Sequence, residues 1–389
     1  LKVDGTVRLV SGTLHCVTDT LAEGNAISVD DAYIQDGGAL LIEANGNVHA
    51  SESKGLKVNG RESEENAKGY LVINGGSVDI TSVGKAMTAG WKAEEDGETE
   101  TLSDDPTPNL IINGGVLHLT TTGTPYEYSD EESLSPEGLE AKNKLEINGG
   151  YIEISATDDA LNAGGSIVLN GGILFAYSRS ADALDSNGTV IINGGEAVLL
   201  GAGGAEMGLD MDINSAFTYH GGTVVAMGGG NNTPGAKDTD ACVISFQSPV
   251  SAGSSFALVD EKGNAVVAFQ IPSWYNLGSS VEVLSSDLKI GSTYRLVGNT
   301  EVTSSSFFNG LYRGEVTTSG GSELASYTIS SFVTGGEGGM FGGMRGGMEG
   351  ERGMRMNFQD GQAPENGMGP DMRGGQKNNN FWMKTGFGN

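Results

Sequence analysis

Aromatic residues make up only 7% of this chain and hydrophobic residues 37%, which is low for a packed globule. Cysteine is nearly absent. Cys16 and Cys242 lie far apart and fit no zinc or redox spacing, so two buried free thiols are favoured over a bridge. His15, His49, His118 and His220 are scattered and suggest no shared role. Basic residues are few: 22 Lys+Arg against 50 Asp+Glu give a formal net charge of −28. That balance argues against nucleic acid or an anionic membrane as partner, and favours cations. No apolar run reaches the roughly 18 residues of a transmembrane span. No signal peptide is visible, yet LKVDGTVRLVSG reads as a strand from the first residue, so a leader and part of the fold are expected upstream.

Glycine, in contrast, is abundant at 63 residues. Without a Gly-X-Y period it does not mean collagen; it points to a repeat with a sharp turn in every unit. INGG occurs at 73–76, 112–115, 147–150 and 192–195, with the variants LNGG at 169–172, YHGG at 219–222 and QDGG at 35–38. In the unit near 145, LEI alternates, NGG turns, YIEIS alternates again, and DDALNA makes a short third strand. Alternation with period two marks a half-buried strand, and Asn-Gly supplies the positive φ of a tight turn. So short a unit cannot bury an apolar face alone. Stacking units about 4.8 Å apart closes a core and pairs the backbone. The expected fold is all-β: a right-handed parallel β-helix, or solenoid, over residues 1–245.

From 246 to 333 the INGG signal stops. Strand-like runs such as SSFALVD, NAVVAFQI and SVEVL read as a β-rich C-terminal cap over the open end. Residues 334–389 change again. GGM recurs, eight of the twelve Met lie there, and no periodic apolar face exists; the segment reads as a disordered Gly/Met-rich tail.

Stacking turns spacing into columns. The short strand aligns on the pairs Ala26-Ile27, Gly55-Leu56, Ala86-Met87, Gly138-Leu139, Ala160-Leu161, Ala183-Leu184 and Gly208-Leu209. The apolar member points inward, and the residues flanking each pair point outward. The column before the pair reads Asn25, Lys54, Lys85, Glu137, Asp159, Asp182, Met207. The column after it reads Ser28, Lys57, Thr88, Glu140, Asn162, Asp185, Asp210. Charges about 5 Å apart repel by about 3 kcal/mol at an effective dielectric near 20. Repeated stacking of acids therefore invites a cation, and oxygen ligands of this kind suit calcium rather than zinc or copper. A merely solvated acidic face is the alternative. Asp158, at the turn beside Asp159, is either a further ligand or a backbone cap. The acidic loops 94–105 and 127–132 read as solvated surface.

Asn74, Asn113, Asn148, Asn170 and Asn193, one in each INGG or LNGG, should stack as a structural ladder of amides. Tyr126, Tyr128 and Trp91 lie in insertions, where they could stack on sugar rings or pack within loops.

The run EGLEAKNKLEINGGYIEISATDDALNAGG, followed by ADALDSNGTVIINGG and MGLDMDINSAFTYHGGTVVAMGGG, resembles the clostridial-type extracellular carbohydrate-binding β-helix proteins. That family is similar in fold to the calcium-dependent family 9 pectate lyases. The resemblance covers residues 135–245 and extends over 70–134 and 246–330; nothing is carried over before about residue 70. It implies an extracellular or cell-surface protein that binds plant cell-wall or other polysaccharide, cellulose-like or pectic. It implies stacked calcium at Glu137, Glu140, Asp159, Asn162, Asp182, Asp185 and Asp210. A lyase would need a Lys or Arg base at the calcium site. No basic residue reads as placed among the acids, and Lys85 is the best alternative base. A non-catalytic binding protein is thus favoured over a calcium-dependent lyase or a structural adhesin with purely stabilising calcium.

Overall fold

The computed structural model describes residues 1–22, 24–46, 53–60, 69–90, 109–129, 132–212, 214–235, 237, 239–275 and 278–335. Strands and turns account for them, with no helix among the described residues. The loop 94–105, residues 130 and 131 of the second acidic loop, and the Gly/Met-rich segment from 336 lie outside the described residues.

The chain deals its short strands in turn to three parallel sheets. One tier consists of Leu139–Ala141, Lys144–Ile147 and Tyr151–Ala156. The next is Leu161–Ala163, Ser166–Leu169 and Ile173–Ser178. Each strand pairs in parallel with its counterpart one tier on, without a slip in register: Leu139 with Leu161, Leu145 with Ile167, Ile152 with Leu174. Eight such tiers run from Lys2–Val3 to Thr223–Gly228. Alternation places Leu145, Ile147, Ile152, Ile154, Leu161 and Ile167 in a continuous inner core, as the period of two requires.

The INGG turns work differently from the expectation. The positive φ falls on the second glycine, +99° at Gly150, and on no asparagine of the motif. The first glycine serves close approach: a Cβ on Gly149 would lie 2.8 Å from the Asn113 carbonyl oxygen of the previous tier. The asparagine is left free to bond along the stack. Asn113, Asn148, Asn170 and Asn193 each donate an amide N–H to the side-chain oxygen of the Asn one tier earlier, at 2.6–2.9 Å. Asn74 continues the expected ladder onto Asp36, which Arg8 closes at 2.6 Å. These two donors, Asn74 foremost, hold the Asp36 carboxyl below its usual range.

Thr223–Gly228 ends the parallel stacking of the third sheet, because Ser280–Ser285 pairs with it antiparallel and Cys242–Gln247 pairs antiparallel with that strand in turn. Val243 and Leu284 join the inner core there. A separate six-stranded antiparallel sheet, which includes Ser255–Val259, Ala265–Gln270 and Thr293–Gly298, lies against the outer face of the third sheet. Phe175, Val198, Leu200 and Val225 pack there against Phe256, Leu258 and Phe269. This part of the segment from 246 to 333 thus covers a flank of the third sheet. Cys16 and Cys242 are both free thiols, the second buried.

Candidate functional site

The structure stacks the two columns as their spacing suggests. Ser28, Lys57, Thr88, Glu140, Asn162, Asp185 and Asp210 are successive register partners. The other column is tied by backbone bonds: Gly55 N–H to the Lys85 carbonyl, Ala86 to Glu137, Gly138 to Asp159, Ala160 to Asp182, Ala183 to Met207. Side chains in the first column also cap the backbone of the next tier. Asn25 Oδ1 accepts the Lys54 N–H at 3.1 Å, Asp159 Oδ1 accepts that of Asp182 at 3.0 Å, and Asp182 accepts that of Met207. Each acceptor satisfies an N–H just ahead of a short strand.

One expectation is corrected by burial. The columns point away from the apolar core, yet Glu137, Glu140, Asp159, Asn162 and Asp182 are all buried; Asp158, Asp185 and Asp210 are half-buried. These acids are not a solvated face. A carboxylate removed from water needs a charged partner, donors, or a proton.

A second correction concerns Lys85, which does stand among the acids. Its Nζ lies 2.6 Å from Glu137 Oε2 and 3.0 Å from Glu140 Oε1. Lys142 Nζ reaches Glu140 Oε1 at 2.7 Å, and Thr88 Oγ1 donates to Glu140 Oε2 at 2.5 Å. Burial alone would raise the Glu140 carboxyl, but Lys142 and Lys85 outweigh it and hold it well below the usual range. Burial alone would lower Lys85; Glu137 and Glu140 overcome that and keep its ammonium charged above the ordinary lysine range. This tier is balanced by cations of the chain itself.

The following tiers are different. Carboxylate oxygens of Asp159, Asp182 and Asp185 all lie within 4.8 Å of one another. Asn162 links them to the balanced tier, its amide donating to Asp159 Oδ2 at 3.1 Å and to Glu137 Oε1 at 3.3 Å. Burial, then the charges of Asp185, Asp158, Glu137 and Asp182, push the Asp159 carboxyl well above its ordinary range. Burial likewise pushes Asp182 up to about 8, against the opposing Met207 N–H. Asp210 is raised by burial, with the Met211 N–H and the Asn232 amide in opposition. Asp158 ties its turn through backbone: its N–H donates to the Pro136 carbonyl at 3.3 Å and its carbonyl accepts Ser178 Oγ at 2.7 Å. An oxygen-only set with mutual repulsion and no His or Cys suits a hard cation.

Two further features escaped the sequence. His118 Nδ1 lies 3.0 Å from Asp79 and its Nε2 3.4 Å from Glu153, the neighbours before and after it in the stack. Tyr177 and Trp274, nearly a hundred residues apart, meet at a ring separation of 4.7 Å. Neither pairing is visible without the register. Of the insertion aromatics, Tyr126 is half-buried at the start of the strand Tyr126–Ser129; Trp91 and the Tyr128 side chain lie outside the described residues.

A family model for carbohydrate-binding domain-containing proteins matches residues 1–183. That span contains Lys85, Glu137, Glu140, Asp159, Asn162 and Asp182, and stops just short of Asp185. No curated protein and no solved structure matches the chain.

Proposed function

We propose that this chain is an extracellular, calcium-containing polysaccharide-binding protein without catalytic activity, built as a right-handed parallel β-helix over residues 1–245 with a β-rich cap over 246–333. The match of residues 1–183 to a carbohydrate-binding family carries the glycan half of this reading. A cellulose-like or pectic polysaccharide is the ligand class. The convergence of Asp159, Asp182 and Asp185 supports calcium as the resident ion. These three carboxylates would hold it, with Asn162 and Asp210 as neighbours in the column. A divalent ion there would offset the burial and the mutual repulsion that raise Asp159 and Asp182. Glu137 and Glu140 already have Lys85 and Lys142 and need no ion.

A calcium-dependent lyase is the less supported reading. Its base would be Lys85, and a general base must be deprotonated near working pH. The two carboxylates around Lys85 hold its proton on.

The test is co-sedimentation with microcrystalline cellulose and with polygalacturonate, in calcium and in EDTA, while the absorbance of unsaturated product is followed. Binding without product supports the proposal. Product formation supports the lyase, and binding to neither polysaccharide rejects the glycan reading.

A further inference from the structure

The outer face of the third parallel sheet is divided by the antiparallel layer. In the last tiers its residues Leu200 and Met227 are buried beneath that layer. In earlier tiers the same column carries hydroxyls: Tyr177 stacks on Ser155, Ser155 on Thr120, and Thr120 on Thr81. Ser155 and Thr120 are half-buried, and Thr81 is exposed. Tyr177 therefore stands at the foot of a step, where a partly open hydroxyl-bearing strip meets the wall of the antiparallel layer, whose Phe308 and Asn309 also reach Tyr151 and Glu153 on the Ser155 strand.

Trp274 stands on that wall. It is 53% exposed, and its ring meets Tyr177 at an interplanar angle of 60°, so the two form an angled notch rather than a flat stack. Tyr275 underpins both rings, at 6.4 Å from Tyr177 and 6.1 Å from Trp274. Tyr275 is buried, and its hydroxyl lies 2.8 Å from the Gly201 carbonyl and 3.1 Å from that of Met227. The notch is thus anchored on the corners of the last two tiers and is preformed, which reduces the ordering cost of binding. The exposed indole, braced by two tyrosine rings, offers a broad apolar face with a polar N–H at its edge.

We propose that the Tyr177–Trp274 notch is a sugar-stacking subsite: a pyranose ring of a neutral or uronic polysaccharide lays its C–H face on the Trp274 indole, with its edge against Tyr177. The glycan then runs along the strip over Ser155 and Thr120, whose hydroxyls both donate and accept hydrogen bonds and recur about every 4.8 Å. The proposal rests on the glycan-binding reading. Tyr177 lies inside the span matched to the carbohydrate-binding family, whereas Trp274 lies outside it, so the subsite is completed by the antiparallel layer.

The experiment compares the full chain with Trp274→Ala, Trp274→Phe and Phe307→Ala for co-sedimentation with microcrystalline cellulose and polygalacturonate. Phe307 is a comparably exposed ring (52%) paired with Tyr312 rather than Tyr177. Trp274→Ala should lose tenfold or more in affinity, Trp274→Phe should keep most of it, and Phe307→Ala should match the parent. A folded Trp274→Ala that binds like the parent overturns the subsite and leaves glycan binding intact. A parent that binds neither polysaccharide overturns the glycan reading, and the subsite with it. A second measurement covers the case of a misfolded alanine variant. In a Trp91→Phe, Trp382→Phe background Trp274 is the sole tryptophan, and bound polysaccharide should cut its acrylamide quenching at least twofold; unchanged quenching with glycan bound overturns the subsite.

Discussion

Lys85 and Glu137, 52 residues apart in the chain, meet at 2.6 Å on adjacent tiers. Glu140 shares the same ammonium at 3.0 Å. Both carboxylates are almost fully buried and the lysine is 14% exposed. Removing one partner of such a set leaves an uncompensated buried charge, at a cost of about 3–5 kcal/mol. Lys85→Met should therefore destabilise the protein by that order in urea denaturation. Lys85→Arg, which keeps the charge, should cost markedly less. Equal losses for the two variants would mean that packing, not charge, is the contribution of Lys85.

The proposed ion at Asp159, Asp182 and Asp185 makes one substitution change sign with conditions. Asp182→Asn keeps an oxygen for the Met207 N–H and removes the cost of burying a carboxyl that is pushed up to about 8 without an ion. In EDTA the variant is spared that cost at neutral pH and should melt above the parent. In calcium the parent gains binding energy, about 2.7 kcal/mol at a hundred times the dissociation constant, and should melt above the variant. Calorimetry in both buffers reads the crossing. A parent whose melting temperature ignores calcium and EDTA alike would remove the ion from the account.

Much of this was legible in the sequence, for a physical reason. Register in a stacked fold is set by turn chemistry and alternation, and both are written locally: INGG fixes the turns, and the small-apolar pair fixes the short strands. Hence Glu140, Asn162 and Asp185 align from the spacing of their repeats alone. Burial was not legible, because what removes Asp159 from water lies elsewhere in the chain than its own repeat. The Lys85 pairing was half legible: its column was right, but a long flexible side chain reaches along the stack to the next tier. Tyr177 and Trp274 come from regions with no shared period, so nothing in the sequence joins them. The assignment of positive φ to Asn-Gly failed because the motif has two glycines with separate tasks.

Those tasks predict a difference between neighbours. Gly150 has φ +99°, where L residues are strained. Gly149 has an ordinary φ, but a Cβ there would press on the Asn113 carbonyl oxygen. Both alanine variants should destabilise, by about 1–3 kcal/mol each. They should respond differently to a second change. Asparagine is the residue best tolerated at positive φ after glycine; a Cβ on Gly150 would also lie 3.1 Å from the Gly115 carbonyl oxygen, so Gly150→Asn should recover only the part of the loss that φ causes. Gly149→Asn should recover none, because its obstacle is volume. Urea midpoints of the four variants decide this, and recovery at Gly149 would contradict the steric assignment.

Where the antiparallel strands meet the core, one buried carboxylate is raised by its position. Glu282 faces inward on Ser280–Ser285, beside Ala226 and Ser245 in the neighbouring strands. It is 1% exposed, and neither of its oxygens nor Ser245 Oγ has hydrogen-bond geometry to a partner among the described residues. Burial pushes its carboxyl from the ordinary 4.5 up to about 8, with the Thr233 side chain only tempering the rise. An acid raised in this way binds its proton more tightly when folded than when unfolded. Its protonated form is accommodated below about pH 4.5, and stability falls as pH rises from there towards 8. Glu282→Gln has no proton to lose. It should match the parent within about 1 kcal/mol at pH 4.5 and exceed it by a few kcal/mol at pH 9, since each tenfold change in proton affinity between the folded and unfolded chain is worth roughly 1.4 kcal/mol. Urea denaturation of both chains at the two pH values measures the difference. An advantage that does not grow with pH would show that Glu282 is stabilised as an anion, by a water or a cation at the end of the core.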